Sequence, residues 1–409
     1  EFKQDSYAIE AGDVAGYANG GQPVLTGPSA GKFTDVPGAQ AESSFSPFNA
    51  SYNHRESVAG YGDLETQLLR GWDVGLAGRY ESYSDFGDSL TGKLSSRYQV
   101  TPMIAVRGAI NNGFRAPSIG QEYYSTSSTT QYQGVDYKIA LIPANSEAAK
   151  ILGATPLKAE DSVNLSGGFV FTPAHNLTVT LDAYHIHIDH RIVLSSNIGL
   201  LPSGALNPTV ASLLSAQGIQ GVNVGSYFLN GANTKTEGVD LVVNYKLNVF
   251  GGRLSLNGAF DENDSEIVSL SKNASEPIFG TTVFNSTSQK QLTKTTPANK
   301  TILSGDYAIG KFSFFLRENR FGHYLQPSTV AGADSYAKPA WTTDGEILYS
   351  LTSNVQIGVG AQNMFNVYPT RANPLNFVAS TFNGANIYNA NSPFGISGGD
   401  YYGRLIVKW

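Results

Sequence analysis

The stretch Leu90–Ile110, LTGKLSSRYQVTPMIAVRGAI, reads as two strands folded back through one tight turn. Leu90, Gly92, Leu94, Ser96 and Tyr98 alternate with Thr91, Lys93, Ser95 and Arg97. After Gln99-Val100-Thr101-Pro102, Ile104, Val106, Gly108 and Ile110 oppose Ala105, Arg107 and Ala109. Successive strand side chains point to opposite faces, so one face here is apolar while the other carries Lys93, Arg97 and Arg107.

The same period spreads outward in both directions. Trp72, Val74, Leu76, Gly78 and Tyr80 alternate with Asp73, Gly75, Ala77, Arg79 and Glu81; Val163–Phe171, Leu177–Ala183, Val239–Leu247 and Leu254–Phe260 follow. Thr301–Tyr307, Phe312–Arg320, Trp341–Tyr349 and Val355–Ala361 repeat it near the end, and Phe2–Glu10 opens the chain with a strand-like run. Tight reversals at 99–102, 172–176, 308–311 and 350–354 take turns with long polar excursions at 11–54, 113–160, 190–226, 262–297 and 366–395. Short turns at one end and long loops at the other belong to antiparallel transmembrane barrels. A soluble sandwich has no reason to lengthen every second connection.

A charged side chain near the bilayer midplane costs about 2–4 kcal/mol on the lipid face. Asp73, Arg79, Lys93, Arg97, Arg107, Asp306, Arg317, Asp344, Glu346 and Arg404 are therefore expected to face a lumen. Trp72, Tyr98, Phe171, Tyr245, Tyr307, Phe312, Tyr349 and Trp409 lie beside short turns or at the C-terminus, as a periplasmic aromatic girdle would.

Composition agrees. Of 409 residues only 15% are charged and 11% aromatic, Gly numbers 44 and Cys is absent. No run of about 18 apolar residues provides a membrane helix. A net charge of −6 argues against nucleic acid as a partner. The expected class is all-β: an antiparallel transmembrane barrel with about fourteen strands present. Fourteen strands alone would close at about 28 Å, whereas about 22 would give about 44 Å, room for a folded plug.

Tyr401, Gly403, Leu405, Val407 and Trp409 form the outer side of a closing strand, and its terminal aromatic resembles the signal read by the barrel-assembly machinery. A second resemblance is broader. Gly113-Phe114-Arg115-Ala116-Pro117-Ser118, after a strand ending near Asn112, is similar to the Phe-Arg-Ala-Pro signature of TonB-dependent outer-membrane receptors. Arg79–Gly87 resembles that family's strand and tight loop just upstream, and Thr236-Glu237-Gly238-Val239-Asp240 its recurring strand start. Gln362–Pro369 resembles the Asn-Leu-Phe-Asp segment before the final loop, with Met364 and Asn366 departing from it. These motifs fall in the family's order along almost the whole chain.

The resemblance implies a receptor in the Gram-negative outer membrane, contacting its lipid. It would take up a scarce large solute, a ferric siderophore-type iron complex first, with cobalamin or a glycan as other choices. Release would be driven by the TonB complex acting through an N-terminal plug. No plug, TonB box or signal peptide is read upstream, so residues 1–409 are expected to be the C-terminal part of a barrel of about 22 strands. Alone, this part is not expected to transport. The alternative is a self-contained passive channel of about fourteen strands, which requires Phe2–Glu10 to pair with Tyr401–Trp409.

No Gly-x-Ser-x-Gly elbow, His-Glu-x-x-His helix or phosphate-binding Gly loop is present, so no enzyme and no cofactor are expected. An enzyme sited at the barrel rim would need a Ser/His or paired-carboxylate arrangement, which His185–His190 only faintly offers. His185, His187 and Asp189 share a strand face and are the weak metal candidates, near His190 at a wet rim. Asp261–Glu266 reads as the acidic start of a loop and lacks the Gly and distal Glu of a calcium loop. Short helices are expected after Asn207-Pro208, ended by Gly218, and over Ser146–Leu152. Arg115 is weighed as solute ligand against loop-anchoring salt partner. Tyr123, Tyr124, Tyr132, Tyr137, Phe377, Phe382 and Tyr388 are the loop aromatics proposed for ligand stacking.

Overall fold

The computed structural model describes residues 1–18, 20–26, 30–31, 43–132, 135–201, 203–328, 330, 332–375, 387–388 and 391–408. Fourteen antiparallel strands form one sheet in chain order. They are β1 Phe2–Ile9, β2 Ser51–Leu69, β3 Trp72–Tyr83, β4 Gly87–Thr101, β5 Ile104–Arg115, β6 Glu160–Ala174 and β7 Leu177–Leu194. The second half comprises β8 Phe228–Val249, β9 Gly252–Leu270, β10 Asn299–Ile309, β11 Phe312–Phe321, β12 Ala340–Ser350, β13 Val355–Gln362 and β14 Asp400–Val407.

The cross-strand register carries the period of two across the sheet. Trp72 pairs with Tyr98, Tyr98 with Val106, Leu94 with Ile110, and Ile110 with Leu165. Further on, Leu181 pairs with Leu241 and Leu241 with Phe260. Leu76, Leu94, Leu165, Leu316, Val359 and Leu405 are among the large apolar side chains left exposed on this face. So wide an apolar surface needs an apolar partner, and lipid is the one that fits strands. Asp73, Arg97, Arg107, Asp182, Asp240, Asp261, Asp306, Arg317, Asp344, Glu346 and Arg404 all fall on the opposite parity. Of the girdle, Trp72 packs edge-on to Tyr98 at 6.5 Å, and Phe312 meets Tyr349 at 4.9 Å; Trp409 lies outside the described residues.

One sheet end is closed by turns of two to four residues. In the β8–β9 turn Phe250 and Gly251 both take positive φ (50° and 76°), the twist that suits a two-residue hairpin. The other end carries the long connections, with one exception: β3 and β4 are joined there by only 84–86. Several strands run farther toward that end than the sequence suggested. The acidic run Asp261–Glu266, expected to begin a loop, lies within β9 and pairs with Lys235–Asp240. A strand beyond the apolar band has water on both faces, so carboxylates cost little there while backbone pairing is kept; Lys235 reaches Glu266 at 3.0 Å.

Among the described residues β1 pairs only with β2, and β14 only with β13. The β1–β14 pairing that a self-contained channel requires is not formed, and the sheet has two free edges.

The long connections fold around a core of their own. Residues 43–44, 126–132, 135–141 and 224–226 make a small four-stranded sheet. Five short helices accompany it: α3 Pro208–Ala216 packs on 224–226 and against α2 Glu147–Ile151, whereas α1 Ile119–Tyr123, α4 Lys272–Ser275 and α5 Ser286–Lys294 pack on β2, β8 and β9. α3 starts as expected: the Asn207 side chain accepts from Thr209 N–H and Pro208 takes the first helical position. Leu152, Ile198, Val210, Leu214, Tyr227, Val283 and Phe284 form the centre of this second core. Each such aliphatic side chain contributes about 1.5–3 kcal/mol on burial. The Tyr227 hydroxyl donates to Leu152 O at 2.9 Å, and burial pushes its pKa up to about 12.

Candidate functional site

The polar sheet face is a wall of paired charges. Arg107 donates to both carboxylate oxygens of Asp182 at 2.8 and 2.5 Å, Arg317 meets Asp344 at 2.8 Å, and Arg404 pairs with Glu346. Near the short-turn end, Glu65, Asp73, Lys93, Arg97, Arg107 and Asp182 line a hollow of about 520 Å³. Fixed charges of both signs on a wet wall hold polar or polypeptide surfaces by exchangeable ion pairs.

The loop end begins with the motif at Phe114–Pro117. The Phe114 ring packs against Tyr83 at 6.0 Å and Phe86 at 6.5 Å. Arg115 gives a two-bond clasp to Glu160 (2.8 and 2.7 Å), whose Oε1 also accepts from Ile192 N–H at 2.7 Å. Arg115 is thus an ion-pair partner that links β5 to β6 and, through Glu160, to β7. The Pro117 carbonyl accepts from Arg55 Nη1 at 2.7 Å. That same guanidinium meets Asp85 at 2.5 Å and Glu122 at 2.9 Å, the Arg55 and Glu122 side chains being buried, and lies over the Tyr83 and Phe86 rings. Burial, then the neighbouring Asp85 charge, pushes the Glu122 carboxyl up to about 7, while Arg55 pulls it down. The motif's residues were legible, and Asp85 lay in the Arg79–Gly87 stretch; that Arg55 and Glu122 join it from two other segments was not.

The structure scatters the other candidates. Tyr137 is buried in the small sheet, whereas Tyr123 and Tyr124 are half-buried, with Tyr124 edge-on to Phe45 at 6.2 Å. Tyr388 stacks on Tyr368 at 5.6 Å. The Tyr132 side chain and all of Phe377 and Phe382 lie outside the described residues. His185 and His187 share a face, on the parity of Leu165 and Val163, at the edge of the apolar band. Each imidazole turns to its own carboxylate: His185 to Glu237 at 2.9 Å, His187 to Asp189 at 3.2 Å, His190 to Asp161 at 3.4 Å. No three metal-ligating side chains are brought together among the described residues. Tyr401, Gly403, Leu405 and Val407 stand on the apolar parity of β14, as expected.

An apolar outer face, a charged inner face and loops folded at one end define the class: an outer-membrane β-barrel receptor scaffold. The chain belongs to the TonB dependent receptor-like β-barrel family, which it matches over residues 5–364. That family consists of outer-membrane transport receptors, not enzymes. Among solved structures it is similar to a point mutant of the ferric enterobactin receptor PfeA from Pseudomonas aeruginosa, at 16% identity, 99% of this chain, 50% of that one and a TM-score of 0.60. A PfeA mutant in complex with enterobactin gives 18%, 88%, 46% and 0.57. The siderophore receptor PirA from Acinetobacter baumannii gives 15%, 87%, 46% and 0.55. The chain therefore spans about half the length of these receptors. No curated protein matches it in sequence.

Proposed function

We propose that this chain is the barrel portion of a receptor for TonB-dependent uptake of a large scarce solute, a ferric siderophore-type complex first. Residues 1–409 would then act as one barrel domain. The observation that carries the reading is the sheet's asymmetry: an apolar face, a charge-lined face, and a canopy of loops with its own core at one end only. Such a canopy offers a capture surface, and the charged wall offers a face on which a plug can seat and slide. The solved receptors' own ligands support iron chelates as the first choice. Partners in this reading are the lipid bilayer, the assembly machinery, the TonB complex and the solute.

The test is uptake of radiolabelled iron, supplied as catecholate or hydroxamate chelates, by iron-starved cells with and without the gene. Loss of uptake of one chelate, matched by its loss in a tonB mutant, is the expected result. Unchanged uptake of every chelate, together with reduced permeability to small sugars, would instead favour a passive channel.

A further inference from the structure

The apolar sheet face is not evenly clad. Where β11 to β14 cross it, successive rows read Phe314-Ile347-Val359-Gly403 and Leu316-Gly345-Ala361-Tyr401 by cross-strand register. Gly345 stands directly opposite Ala361, with Gly403 on the next diagonal, and these small residues leave the strand backbone as the floor of a hollow of about 750 Å³. Leu316, Ile347, Val359 and Tyr401 border it, all four exposed. Its remaining wall is Met364, the position that departs from the related Asn-Leu-Phe-Asp segment. A Cβ on residue 345 would stand 2.6 Å from Met364 Cε, so the thioether methyl lies over Gly345 as an unbranched, adaptable lip.

The polar groups beside the hollow are engaged or face the other way. Tyr401 Oη donates to Met364 O at 2.8 Å, and Tyr402 Oη, on the charged parity, donates to Glu346 at 2.9 Å. Depth then decides what reaches it. Arg320 and Trp341, directly opposed at the loop end of this face, mark the level of water and headgroups. Gly345 lies four residues farther along β12, about 13 Å along the strand and about 10 Å below that level at a tilt near 40°. Hydrocarbon is about 15 Å deep in each leaflet, so the hollow opens to acyl chains and not to headgroups. Those chains are as apolar as its walls, so selection comes from shape: an unfilled gap forfeits dispersion contacts, and a chain lying in it gains them.

We propose that this hollow binds one straight acyl chain of a bilayer lipid, laid over Gly345, Ala361 and Gly403 and against the Met364 thioether. The occupant follows from continuity, because the hollow opens within the face that already meets lipid. Met364 N–H donates to Thr343 O at 2.8 Å and Asn363 N–H to Asp344 at 2.8 Å, so a chain held there buttresses the root of the last long connection. The site requires only that this face meet lipid, whichever solute the receptor takes.

The experiment reconstitutes the native outer-membrane protein in vesicles of branched-chain diphytanoyl phosphatidylcholine. The probe is a straight-chain phosphatidylcholine carrying a diazirine midway along one chain, and labelled peptides are read by mass spectrometry after irradiation. Labelling of 345–364 and 400–407 is expected to saturate as the probe fraction rises and to fall when unlabelled dipalmitoyl phosphatidylcholine is added, whereas labelling of 90–98 rises linearly. Gly403→Leu fills the hollow without a clash, since a Cβ there meets nothing nearer than 3.8 Å, and should cut the saturating label about fivefold or more. Gly345→Leu is the second filling variant, with the same expected loss. Folding is checked by the heat-dependent shift in gel mobility, and the wild-type saturation stands as a test even where a variant fails to fold. The proposal is overturned if wild-type labelling at the hollow rises linearly as on 90–98, or if a folded filling variant labels as wild type does. Cross-links joining two copies of the chain across the hollow would also overturn it, making a second copy the occupant.

Discussion

Replacing Glu122 by Gln tests how the canopy is tied to the sheet. One buried guanidinium, Arg55, holds Asp85, Glu122 and the Pro117 carbonyl. Glu122 is raised from 4.5 to about 7, chiefly by burial. A carboxyl that binds its proton more tightly folded than unfolded contributes stability that is fully present below about 4.5 and lost as pH rises through about 7. The loss is bounded at about 3 kcal/mol, since each tenfold change in proton affinity is about 1.4 kcal/mol. Gln keeps an acceptor for Arg55 and carries no charge, so the variant loses the pH dependence. The assay is hydrogen exchange of the amides of 117–124 in the outer-membrane protein, expressed as protection factors to remove intrinsic pH effects. Wild-type protection should fall about 10–100-fold between pH 5 and 8, and the variant should stay flat and be better protected at pH 8. A flat wild-type profile, or an undiminished slope in the variant, refutes the reasoning.

Three further outcomes are expected. Arg115→Ala leaves the Glu160 carboxylate buried without its cation; because the Arg115 end is partly in water, the cost is about 1–3 kcal/mol, read by chemical denaturation, and Lys, lacking the two-pronged fork, restores little of it. Leu241→Arg, on the apolar parity between Leu181 and Phe260, should cost about 2–4 kcal/mol of folding free energy in vesicles, whereas Asn244→Arg on the polar parity should cost under about 1. Leu214→Ala at the centre of the loop core should cost about 2–5 kcal/mol locally, seen as protease cleavage within 116–227 while the strands stay protected.

The barrel strands were legible because lipid on one face and water on the other impose the simplest of codes. Trp72–Tyr80 and Leu90–Ile110 announce their faces residue by residue, and the register keeps both sets in phase. Reading failed where that code stops. Asp261–Glu266 looks like a loop by composition, yet hydrogen bonds to Lys235–Asp240 hold it in a strand. The loop aromatics were chosen by position alone, and Tyr137 proved to be a buried packing residue.

By itself, the sequence determined the all-β class, the faces of the strands, the end bearing the long loops and the family of the motif at Phe114–Pro117. Solvent contrast and turn chemistry are local, and they leave local marks. Only the tertiary structure decided that Arg55, Asp85 and Glu122 share one network and that Arg115 clasps Glu160. The charged pairs of these meetings lie 30 to 67 positions apart: Arg55–Asp85, Arg115–Glu160 and Arg55–Glu122. Which distant groups come together is settled by how the canopy closes over its core, and no period in the chain records that.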